Sequence, residues 1–174
     1  MDNASGSMHP QCLAEHNDTT AWECTLPQVA ATYVKTPLFA YNSKYDAFQI
    51  PNMMQDCFGN ATDKFGGKNC GVEVFDAWGG MVTAQVKSWI ASPQAVASGH
   101  AAFLSACYFH CGSNPTFGVV HADGSGLTGA QAFAQWMVNP KGSATHLWDT
   151  EQPWNYTKGC GKGNTPGPEK RGGR

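Results

Sequence analysis

"GHAAFLSACYFHC", residues 99–111, decides the fold. From Ala101 to Phe109 it is apolar except for Ser105, with Gly99 before it and Gly112, Ser113, Asn114 and Pro115 after it. An apolar run of this length between turn residues reads as a buried strand. It ends on His110, wedged between Phe109 and Cys111, and that histidine poses the functional question.

Outward from this run, "TPLFAYN", residues 36–42, reads as an earlier buried strand. Pro37 stands at its start, where a missing N–H costs least. "SKYDAFQI" follows as a loop carrying Asp46. Residues 73–91 have a helical period, with Val74, Trp78, Met81, Val82, Val86, Trp89 and Ile90 largely on one face. Glu73 and Asp76 suit the positive end of its dipole and Lys87 the negative end. Gly79 and Gly80 weaken it, and Ser92-Pro93 ends it. "TGAQAFAQWMV", residues 128–138, is a shorter helix. Thr128 and Gln131 form a capping box, and Asn139-Pro140 stops the helix. Residues 1–12 read as a loop, "LPQVAATYVK" as an approach segment, and the Gly- and Pro-rich sequence after residue 140 as irregular. The order strand–loop–helix–strand–loop–helix predicts α/β layering. Two strands are few for a self-contained sheet, so an incomplete one is expected.

Composition bounds the classes. The chain has 174 residues, 41% hydrophobic and only 14% charged, with 20 glycines, which fits a loop-rich globular domain with a core. The net charge is −2, and "EKRGGR" at the end is a short basic tail within a flexible segment, 161–174. No nucleic-acid partner is therefore expected. No membrane span is expected either, because no apolar run reaches the required length. Seven cysteines accompany four sequons, at Asn3, Asn17, Asn60 and Asn155. Together they favour an oxidising, secretory setting with glycosylation. "MDNASGSMHP" has no basic n-region and no apolar h-region, so it is not a signal peptide. None of the cysteines forms a CxxC, which disfavours a zinc ribbon. "CLAEHNDTTAWEC" brackets residues between Cys12 and Cys24, and "CFGNATDKFGGKNC" does the same between Cys57 and Cys70.

Three roles compete for His110. As a metal ligand it converges poorly, since in a continuing strand Cys107 and Cys111 point to one face and His110 to the other. No metal or other cofactor is expected. As the base of a thiolate–imidazolium pair it would need a sequence neighbour, and adjacent side chains in a strand diverge. As a charge-relay histidine it would need an acid on a loop after another strand, and Asp46 is so placed.

"VKTPLFAYNSKYDAFQI", residues 34–50, resembles a stretch of plant-type pectin acetylesterases, a family that also includes Notum-type carboxylesterases. "FLSACYFHC", residues 103–111, and "TGAQAFAQWMV" resemble the family's histidine segment and last amphipathic helix, and the two cysteine brackets have counterparts there. The similarity runs from about residue 8 to about residue 160, as one partial domain spanning 1–174. It implies an α/β-hydrolase fold and secreted ester hydrolysis, with Asp46 as the triad aspartate and His110 as the triad histidine. It also supports bridges Cys12–Cys24 and Cys57–Cys70, whose bracket-like spacing suggests them already; Cys160 is expected to pair with Cys107, with Cys111 as the alternative, leaving one of the seven cysteines over. The family's serine sits in a Gly-x-Ser-Ala-Gly-Gly elbow upstream of both. These 174 residues hold no Gly-x-Ser-x-Gly, and "DGSGL" around Ser125 has the wrong spacing.

The expectation is therefore the C-terminal, disulfide-stapled portion of a secreted or cell-wall serine carboxylesterase. Its substrate would be an acetylated polysaccharide such as pectin, and the missing N-terminal half of the fold is a further expected partner. The alternatives are a Notum-like protein-lipid deacylase and a non-catalytic, disulfide-stapled binding module. Of the remaining residues, His9, His16, His100, His121 and His146 are read as solvent-facing. Trp78, Trp89 and Trp136 are read as core, and Trp148 and Trp154 as covering a core rather than holding a sugar.

Overall fold

The computed structural model describes residues 6, 8–54, 57, 70–110, 117–118, 126–141, 146–149, 154 and 160. At its centre is a parallel three-stranded sheet in the order β1-β2-β3, with β1 at Phe39–Ser43, β2 at Ala101–Ser105 and β3 at His146–Asp149. Tyr41 pairs with Phe103, and Phe103 with Trp148. All five residues of β2 are buried, as expected for a central parallel strand covered on both faces. β3 corrects the expectation of two strands. It lies in the segment read as irregular, where four residues pair with β2.

Two helices precede β1 and the others fill the crossovers. α1 is Pro10–Glu15, α2 Pro27–Ala30, α3 Gln49–Met53, α4 Val72–Ile90, α5 Pro93–Ser98 and α6 Gly129–Val138. α1 and α2 replace the expected loop and approach segment. Each begins on a proline, whose fixed φ suits the first helical turn and whose missing N–H has no partner to lose there. Ser92-Pro93 ends α4 as expected, and it also starts α5: Ser92 Oγ accepts from the Ala95 N–H at 3.2 Å. Gly99, at φ +73°, closes α5 in the left-handed region, and a side chain there would strike the Pro140 carbonyl. The capping box of α6 is present. Thr128 Oγ1 accepts from the Gln131 N–H at 3.2 Å, and Gln131 Oε1 from the Thr128 N–H at 2.8 Å.

α4 has the expected length, and its packed side holds most of the expected face: Ile90 is buried and Trp78, Val82, Val86 and Trp89 are half-buried, while Val74 and Met81 are exposed and Phe75 and Gly79 are buried instead. The close approach is made at Gly79. A Cβ there would lie 2.6 Å from the Tyr45 ring, so the glycine that weakens the helical propensity is what admits the ring.

The core has two parts. Tyr45, Ile50, Cys57, Phe75, Ala106, Tyr108 and Trp154 form one, in which Phe75 and Trp154 stack at 4.5 Å. Phe103, Cys107, Phe109, Ala132 and Cys160 form the other. Trp136 is also buried and donates from Nε1 to the Gly99 carbonyl at 2.7 Å. Three disulfides tie the chain: Cys12–Cys24, Cys57–Cys70 and Cys107–Cys160. Cys111 lies outside the described residues. Among those residues no helix is long and apolar enough to cross a membrane.

Candidate active site

In a parallel sheet the loops leaving adjacent strands emerge at one edge, so the segments after β1 and β2 meet there. Backbone contacts fasten them together. The Lys44 N–H donates to the Ser105 carbonyl at 2.9 Å, and the Ala47 N–H to the Phe109 carbonyl at 3.2 Å. Ser43 Oγ donates to the Cys107 carbonyl and accepts from the Tyr45 N–H. Ser105 Oγ accepts from the Cys107 N–H at 2.9 Å. Cys107 is in turn bonded to Cys160 beneath the loop.

On this frame Asp46 and His110, 64 residues apart, face each other. His110 Nδ1 lies 2.9 Å from Asp46 Oδ1 and 3.0 Å from Oδ2. The carboxylate is buried and acceptor-only, so it fixes the tautomer with the proton on Nδ1. Asp46 is itself oriented by two backbone donors, the N–H groups of Phe48 and Gln49, each 2.8 Å from Oδ1. These amides lie where α3 begins. Its side chain is 6% exposed, whereas that of His110 is 43% exposed. A buried acid behind a half-open imidazole is the geometry expected of an acid–base pair. Burial raises the Tyr108 phenol above its usual pKa, and the charge of Asp46 adds to the rise.

Phe48 and Gln49 were not singled out by the sequence reading. The available signal was an aspartate two and three residues before the amides that open a short helix. The phenyl ring of Phe48 lies against the imidazole of His110, with centroids 5.1 Å apart and planes 31° apart.

Other expectations resolve differently. His100 is corrected: it is 3% exposed, not solvent-facing. Its Nδ1 accepts from the Leu38 N–H at 3.1 Å, and Trp89 lies against its ring. Burial depresses its pKa, outweighing the nearby Ala31 and Val34 backbone. His16 is partly buried between the sulfurs of Cys12 and Cys24, 3.7 Å from each. Those three residues are close enough to ligate one ion, but the sulfurs are bonded to each other, so only the imidazole remains as a donor. Asn17 is exposed and holds an Asx turn, its Oδ1 accepting from the Thr19 N–H at 2.9 Å. Asn3, Asn60, Asn155, His121 and Ser125 lie outside the described residues. Ser43 and Ser105, on the two strands that lead to the pair, are buried and bonded to backbone, which disqualifies both as nucleophiles, and Ser113 lies outside the described residues.

A family model described as pectinacetylesterase matches residues 1–160. No curated protein and no solved structure matches the chain.

Proposed function

The chain belongs to the pectinacetylesterase family, and on that premise we propose that Asp46 and His110 are the acid and base of a serine carboxylesterase that removes acetyl groups from a polysaccharide such as pectin. The observation that carries the reading is the 2.9 Å contact between His110 Nδ1 and a buried Asp46 carboxylate held by two amides. In this reading the fold is part of an α/β-hydrolase, and the three disulfides fit a secreted or cell-wall protein.

The chemistry follows from the geometry. Nε2 of His110 takes the serine hydroxyl proton as the oxygen attacks the ester carbonyl, and Asp46 stabilises the imidazolium. The imidazolium returns the proton to the leaving sugar hydroxyl, which leaves an acetyl-serine. Water then attacks with Nε2 again as base, and the imidazolium gives that proton to the serine oxygen as acetate departs. The sequence holds no Gly-x-Ser-x-Gly, so the reading places the serine and the oxyanion donors on a segment other than these 174 residues.

Acetate release from acetylated pectin tests this. The 174-residue chain alone should match buffer plus free imidazole. Joined to a segment bearing a Gly-x-Ser-x-Gly elbow, it should turn over, and Asp46→Asn should abolish most of the gain. Saturable hydrolysis by the chain alone would overturn the assignment of the nucleophile. The missing elbow favours one second reading, a disulfide-stapled module that binds acetylated polysaccharide without cleaving it. Binding with no turnover in either format would select it.

A further inference from the structure

The two loops that carry Asp46 and His110 are joined by backbone at two points. The Lys44 N–H reaches the Ser105 carbonyl, and the Ala47 N–H reaches the Phe109 carbonyl. Between those points the acid loop advances three residues and the histidine loop four. An extra residue on one side interrupts a regular ladder, so the stretch between needs another fastening.

Ser43 supplies it. Its hydroxyl donates to the Cys107 carbonyl, 64 residues away, and accepts from the Tyr45 N–H at 2.9 Å. A carbonyl only accepts and an amide N–H only donates, so the hydroxyl proton has one orientation. Ser43 and Cys107 are each 1% exposed, and water has no access to replace either contact. Both ends of this crossing are buried among the described residues, so it does not depend on what else meets the sheet edge.

Ser105 is the natural comparison. It is the register partner of Ser43 and is equally buried. It likewise accepts from the N–H two residues on, that of Cys107, at 2.9 Å. That contact stays within one loop, whereas the Ser43 hydroxyl crosses between loops. The crossing ends one residue before Asp46 on one side and three before His110 on the other.

We propose that Ser43 is a positioning residue for the acid–base pair: its hydroxyl locks the acid loop to the histidine loop and so holds His110 Nδ1 on the Asp46 carboxylate. The inference rests on the catalytic reading of that pair and adds the group that sets its geometry.

The test is NMR of the histidine ring nitrogens in the 174-residue chain, read beside urea unfolding. In the unsubstituted chain His110 should show one tautomer, with its proton on Nδ1. Ser43→Ala should lose that single tautomer and give averaged ring-nitrogen shifts, and Ser43→Thr, which keeps the hydroxyl, should retain it. Ser105→Ala removes a buried hydroxyl that makes no crossing. It should lower the urea midpoint comparably and keep the single tautomer. A single tautomer in folded Ser43→Ala, or its equal loss in Ser105→Ala, would overturn the proposal. If Ser43→Ala does not fold, hydrogen exchange of the unsubstituted chain decides. The Tyr45 amide should then exchange as slowly as the Ala47 amide, and fast exchange at Tyr45 beside slow exchange at Ala47 would sink the lock. In an enzyme that includes the nucleophile, Ser43→Ala should lower kcat about tenfold at unchanged KM. The ring-nitrogen signals read the lock alone. Failure of the catalytic reading appears instead as no acetate release from any form, so the two are told apart.

Discussion

His100 and His110 stand at opposite ends of the same strand, and their environments are opposites as well. His100, before β2, is buried, accepts from a backbone amide and lies against Trp89. His110, after β2, is half-open and paired to a carboxylate. Residue type is alike for both, although His100 adjoins the strand and His110 lies five residues past its end. What separates them is the end of a parallel sheet on which each lies. At the N-terminal end of β2, helices and the approach segment close over the histidine. At the C-terminal end, two loops converge and the His110 side chain is 43% exposed. The proposed acid–base pair lies at the end of the strand where the histidine is the more exposed of the two.

The largest test of that contrast is catalytic. In an enzyme that includes the serine, Asp46→Asn should lower kcat by roughly 10⁴-fold and His110→Ala by a comparable factor, as in other serine triads. His100→Gln should change kcat little. Steady-state kinetics on an acetylated substrate would decide, and a loss at position 100 equal to that at 110 would erase the distinction.

Next in size is the anchor beneath the His110 loop. Cys107 and Cys160 close a loop with a sequence separation of 53, against 12 and 13 for the other two bridges. In the chain-entropy picture that is worth about 4 kcal/mol, against about 3 kcal/mol for each short loop. Replacing both Cys107 and Cys160 by Ala should therefore lower the denaturation free energy more than Cys12→Ala with Cys24→Ala. It should also broaden the His110 ring signals, which removal of the other bridge leaves sharp.

A smaller effect is expected at Gly79. Alanine improves intrinsic helix propensity by about 1 kcal/mol, but its Cβ would meet the Tyr45 ring at 2.6 Å. Overpacking of this kind costs about 1–3 kcal/mol, so Gly79→Ala should be net destabilising in urea unfolding. Tyr45 lies next to Asp46, and the strain should reach the site as a modest loss of activity.

The smallest concerns acid stability. The folded pKa of His100 is depressed, so the unfolded chain binds the extra proton first. Stability should be fully present above the ordinary histidine value, near 6.5, and should fall as pH drops below it. His100→Gln should flatten that slope, as read by thermal unfolding between about pH 5 and pH 8.

The sequence made much of this legible where one segment carries its own signal. The run through β2 has no other comfortable state, and Thr128 with Gln131 marks the start of α6 by local chemistry alone. β3 was illegible because its four residues gain their stability from pairing with β2, a tertiary effect with no local trace. On α4 the large apolar residues mark most of the packed face, but its close approach to Tyr45 is made at Gly79, which no hydrophobic period shows. For the site, Asp46 and His110 were named from a family resemblance, and strand position alone supported them only modestly. The amides of Phe48 and Gln49 escaped notice because backbone donors leave little mark on composition. His100 was misplaced because a histidine after a glycine looks like a turn residue until the helices around it are known.

The Cys107–Cys160 bond also makes part of the molecule a covalent ring that contains α6 and β3. A protease that cuts one peptide bond inside that ring releases nothing. The nicked molecule keeps both pieces and simply gains one water in mass until a reductant separates them. Damage between the histidine loop and Cys160 is thus silent on a non-reducing gel and visible only on a reducing one. The imidazole keeps its covalent tether to the tail even after the polypeptide between them has been severed.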